Sequence, residues 1–79
     1  MDQRRMSNKR YFFHVVGERA EFRDVDGVVL PGPELAKRQA ARIAVELAED
    51  AYEGFIVCVL DEDGKQIARV PVVAAIGHS

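Results

Sequence analysis

The sequence predicts a single α+β domain of order ββαββ: a four-stranded, mostly antiparallel sheet with one helix packed on one face. Three observations carry this. A run of aromatic and β-branched residues, Tyr11 to Val16, opens the patterned region. An alanine-rich stretch from Pro33 to Glu53 repeats its apolar residues at helical spacing. Two apolar runs near the end are joined by Asp61-Glu62-Asp63-Gly64, whose Asp-Gly pair suits a hairpin turn. A chain of 79 residues has room for one hydrophobic core and not two. Residues 1–10 are expected to form a flexible basic arm, 11–74 the domain, and 75–79 a flexible tail.

The first strand, Tyr-Phe-Phe-His-Val-Val, ends at Gly17. Glu18 and Arg19 suit a turn, and Ala20 to Asp24 returns as a half-buried edge strand, with Phe22 flanked by polar residues. Asp26-Gly27 supplies a tight turn, after which Val28-Val29-Leu30 is expected to carry the chain across the core. Leu30-Pro31-Gly32-Pro33 is a sharp stop. Pro33 fits the first helical position, where its missing N–H would be unpaired in any case.

In the helix, Ala36, Ala40, Ile43, Ala44, Leu47 and Ala51 share one face, while Lys37, Arg38, Arg42, Glu46, Glu49 and Asp50 point outward. So many alanines imply a close approach to the sheet. Gly54 is expected to close the helix in the left-handed conformation. The outward charges run against the helix dipole, basic toward the start and acidic toward the end. One reading is that the helix pairs antiparallel with a copy of itself or with a partner, and the other is an ordinary solvated face.

Phe55 to Leu60 is apolar at every position, which a strand shows when both of its faces are covered. It is therefore placed centrally, with Gln66 to Val73 as its neighbour and Pro71 marking an edge or an end. One helix covers only one face of a sheet. The other face then carries Phe12, His14 and Val16 from the first strand and Ile56, Cys58 and Leu60 from the third, and it is expected to be buried in a homodimer or against a protein partner.

The net charge of −2 conceals an asymmetry. Arg4, Arg5, Lys9 and Arg10 against Asp2 give the first ten residues +3, which leaves −5 for the rest. A basic arm on an acidic body gives a second candidate partner, nucleic acid: these four cations would hold phosphates, and Tyr11 or Phe12 would stack on a base. The single cysteine, Cys58, has no disulfide partner within the chain. No apolar run approaches membrane-spanning length and no signal segment is evident, so the chain is expected to be cytoplasmic.

Chemical motifs are sparse. Asp61-Glu62-Asp63-Gly64 and Asp24-Val25-Asp26-Gly27 resemble calcium loops in composition but lack the alternate ligands and distal glutamate, so both read as turns. His14 and Cys58 are the minimum kit for a thiolate nucleophile, yet both lie in the most apolar stretches and no residue is placed to orient the imidazole. His14, His78 and Cys58 do not make a zinc spacing. No catalytic residue, metal site, cofactor or small-molecule substrate is assigned, and the chain is read as non-enzymatic.

Tyr11-Phe12-Phe13-His14-Val15, Asp24-x-x-Gly27-x-x-Leu30-Pro31, the helix with Ala40, Ala44 and Ala48 followed by Glu49-Asp50, and Val57-x-Val59-x-Asp61-Glu62-x-Gly64 follow one another over residues 10–73. This order resembles a family of short bacterial proteins from soil and plant-associated lineages, catalogued as a domain of unknown function. The resemblance implies the same sheet-and-helix domain and no activity. Leu30-Pro31-Gly32 leading into an alanine-rich helix is also similar to HicB-like antitoxin domains, though the chain ends in a second hairpin where those often carry a DNA-binding segment. Fold likeness of that kind transfers no function.

Overall fold

The computed structural model describes residues 8–74. In chain order the elements are β1 (Lys9–Val16), β2 (Glu21–Phe22), β3 (Val28–Leu30), α1 (Pro33–Glu49), β4 (Ile56–Leu60) and β5 (Gln66–Pro71). The expected α+β architecture is present: one helix lies on an antiparallel sheet. β1 is central and pairs with β4 through residues 12–16. Its other edge is shared, β3 pairing with Lys9–Tyr11 and β2 with Val15 and Val16. β5 flanks β4, and a register shift at Val59/Leu60 precedes their joining turn.

Residues 28–30 correct the sequence reading. They form a strand against β1 and do not cross the core. The signal was short, three apolar residues after a glycine, and the partner lies about twenty positions earlier in the chain. β1 also begins at Lys9, so Lys9 and Arg10 belong to the sheet. Residues 1–7 and 75–79, which hold most of the expected arm, the tail and His78, lie outside the described residues.

The core is built from small helix residues against large sheet residues. Ala36, Ala40 and Ala44 are buried on α1 and meet Tyr11, Phe13, Val57, Val59 and Val72 from below. A methyl side chain every fourth residue lets the helix axis sit close to β4 and β5, and the strands supply the bulk that fills the remaining space. Val57 and Val59 are completely buried.

The helix ends earlier than its apolar stripe suggests. Tyr52 N–H donates to the Leu47 carbonyl and Ala51 N–H to the Ala48 carbonyl, the paired bonds of a Schellman motif. The left-handed position in that motif is Ala51, at φ 67°, not Gly54. Ala51 is exposed and outside the buried face, so both assignments made for it and for Gly54 are corrected. Gly54 instead donates its N–H to the Val72 carbonyl, tying the post-helix loop to the chain beyond β5. Beside it, Phe22, Tyr52 and Phe55 stack with centroids 5.2–6.3 Å apart, which holds β2 to this corner.

The β4–β5 hairpin turn follows its chemistry. In the β4–β5 turn, Asp61 Oδ1 accepts from the N–H groups of Asp63 and Lys65, both at 2.9 Å, and Gly64 takes φ 82°. This carboxylate is committed to its own turn, as the failed calcium spacing implied.

Candidate functional site: the uncovered sheet face

Side chains alternate across a strand, so burying Tyr11, Phe13, Val57 and Val59 under α1 forces their neighbours to the opposite face. Register then aligns them. Phe12 stands opposite Leu60, His14 opposite Cys58 and Val16 opposite Ile56. β5 extends each row, with Gln66 beside Leu60, Arg69 beside Cys58 and Pro71 beside Ile56. All six residues named from the sequence therefore share one face, and no element of the described residues is laid across it. Each is half-buried, and the segment between β2 and β3 shields one end of the face, the Asp24 N–H capping His14 and the Phe12 ring lying beside Gly27.

The border of this face is set by the segment between β2 and β3. Val25 is 82% exposed at its tip, and Val29, opposite Arg10, adds a second exposed valine to the same side of the sheet. A shallow hollow of about 290 Å³ lies between this segment and Phe12, His14 and Leu60.

Asp24 shapes that segment. β2 and β3 leave a gap along the outer edge of β1, and the Asp24 carboxylate fills it by accepting the Phe13 N–H at 3.2 Å. Its other oxygen accepts from Gly27 N–H at 3.0 Å and Asp26 N–H at 3.3 Å. Partial burial raises the pKa of this carboxyl, but three backbone donors, Gly27, Phe13 and Asp26, and the nearby His14 together outweigh it, so the net shift is downward. Gly27 is required here. It sits at φ 72°, and a Cβ would come within 2.9 Å of the Tyr11 carbonyl oxygen.

The backbone N–H of Asp24 donates to His14 Nδ1 at 3.0 Å. In this arrangement His14 Nδ1 accepts a backbone hydrogen bond, and Cys58 lies directly across from the residue on β4. The Asp24 to β1 link was not found from sequence: the Asp-x-x-Gly spacing showed a turn, while its long-range partner leaves no local signal.

The basic residues are dispersed differently. Arg10 donates through its guanidinium to the Asp26 carbonyl at 2.8 Å, and its N–H to Glu62 Oε2 at 3.0 Å. Lys9 is exposed on β1, and Arg4 and Arg5 lie outside the described residues. The two described cations are thus strand residues, with Arg10 spent on bracing a turn.

A family model matches residues 10–74, from the second residue of β1 to the end of the described chain. The chain belongs to the domain of unknown function DUF6894. The expected membership of a domain-of-unknown-function family is borne out, and it adds no activity. No curated protein and no solved structure matches the chain. No helix of the described residues is long and apolar enough to cross a membrane.

Proposed function

We propose that this DUF6894 chain is a non-enzymatic, homodimeric interaction module that presents its uncovered sheet face to a partner protein. The observation that carries the reading is the alignment of Phe12, His14, Val16, Ile56, Cys58 and Leu60 on one face, opposite the face that α1 covers. Contiguous apolar surface of this kind on a small domain marks an interaction site more often than a solvated one. A non-enzymatic role is supported by the hydrogen bond that occupies His14 Nδ1 and by the commitment of Asp24 and Asp61 to backbone donors. A nucleic-acid role gains little support, because the exposed Arg10 guanidinium already donates to the Asp26 carbonyl.

Binding of an apolar fluorescent dye tests the open face. The wild-type chain is expected to enhance dye emission, and Ile56→Gln/Leu60→Gln to abolish the enhancement while leaving the circular dichroism spectrum unchanged. A wild-type chain that binds no dye contradicts the reading.

A further inference from the structure

We infer that the dimer is made by the outward surface of α1 and the groove beside it, through antiparallel docking of a second copy of this chain. This rests on the homodimeric reading above and names the surface responsible. Between α1 and the outer strand β5 runs a groove of about 360 Å³, lined by Ala41, Ala44, Val45, Ala48, Val70 and Val73. Val45 is 61% and Val73 67% exposed. These are among the most exposed large apolar residues of the described chain, and they flank one groove on the helix side of the sheet, away from the proposed partner face.

Charge selects the occupant. Arg38, Arg42, Val45 and Glu49 follow one another at spacings of four, three and four, which places them on a single stripe along α1. The stripe is basic at one end, apolar toward the middle and acidic at the other. Such a surface is complementary to itself when the second copy is turned end for end, and a two-fold axis performs that operation. An axis between Arg42 and Val45 sets Arg38 of each copy against Glu49 of the other and lays the aliphatic stem of each Arg42 over the Val45 of the other. Among the described residues the one ion pair on α1 is Glu34–Lys37 at 3.9 Å, so Arg38 and Glu49 pair with no other described residue.

Helix stability does not explain this charge order. The last turn of α1 holds no basic residue, and Glu49 stands at the end where the dipole favours a cation. Edge-to-edge pairing of β5 is the competing geometry, and Pro71 opposes it. Val72 directs its N–H inward to the Phe55 carbonyl, so the adjacent position 71 faces outward, where proline offers no donor.

The test uses three full-length variants: Arg38→Glu/Arg42→Glu, Glu46→Lys/Glu49→Lys, and Val45→Asp, all at exposed positions. Sedimentation equilibrium is run on each alone and on a one-to-one mixture of the two charge variants. The expected result is a dimeric wild type, a dissociation constant raised at least about tenfold in each variant alone, and recovery of dimer in the mixture. Variants that dimerise as tightly as the wild type overturn the inference and move the dyad elsewhere. A mixture of folded charge variants that stays monomeric also overturns it. A wild type that is itself monomeric defeats the homodimeric reading as well, a different result from the first.

Discussion

The two faces of the sheet are made from the same strands and fare differently. On β4, Val57 and Val59 are fully buried under the helix, while Ile56, Cys58 and Leu60, their immediate neighbours, are only half-buried on the other side. Both sets are apolar. Hydropathy alone therefore does not say which face is core, and the deciding feature lies on another element. The alanine face of α1 fits over Tyr11, Phe13, Val57 and Val59, and the described residues supply no second helix for the opposite side. An apolar face that no helix or strand of the described residues covers is the physical basis for proposing a partner there.

Substitutions should separate the two faces, beginning with the core. Val57→Asp places a carboxylate at a fully buried site without a counter-charge and is expected to cost more than about 4 kcal/mol, enough to leave the chain unfolded by circular dichroism. The same change at Ile56 should leave a folded chain. If both unfold the protein, the distinction between the faces fails.

Asp24→Ala removes the acceptor for Phe13, Asp26 and Gly27 together, and urea unfolding should show a loss of about 2 kcal/mol. The same residue gives a pH dependence. Its carboxyl is held below its ordinary value in the folded chain, so its stabilising contribution is present above the unfolded-state pKa and is lost as pH falls through the lower folded-state value. The wild type should lose stability on acidification below about pH 4 more steeply than Asp24→Asn, whose side chain does not titrate. Equal slopes would remove the carboxylate from this role.

Ala51→Gly should stabilise the chain by about 1 kcal/mol, because a left-handed residue with a Cβ is relieved while both Schellman hydrogen bonds are kept. Thermal unfolding measures it. The smallest effect is expected at Cys58→Ser on the uncovered face, below about 1 kcal/mol, since no core contact is lost. A large loss at Cys58 would show that this face is packed within the monomer.

Much of this was legible in the chain. The doubled apolar pattern of residues 55–60 identified a central strand, and alternation alone divided the sheet into the two sets that the register later aligned. Local chemistry located both Asp-Gly turns and the start of the helix at Pro33. What escaped was non-local. The pairing of Val28–Leu30 with Lys9–Tyr11 and the reach of Asp24 to Phe13 depend on residues ten to twenty positions apart, which no short pattern reports. The helix end was misplaced because Ala51 continues the apolar spacing while its backbone has already turned left-handed. Hydrogen bonds of residues 47–52 decide that boundary, and glycine spacing does not.

The most direct measurement is the solution mass of the wild-type chain by light scattering, across a concentration series extending well below micromolar. A mass twice that of one chain, falling toward a single chain only at the lowest concentrations, is the expected result for a homodimeric module. A mass of one chain at every concentration would contradict it.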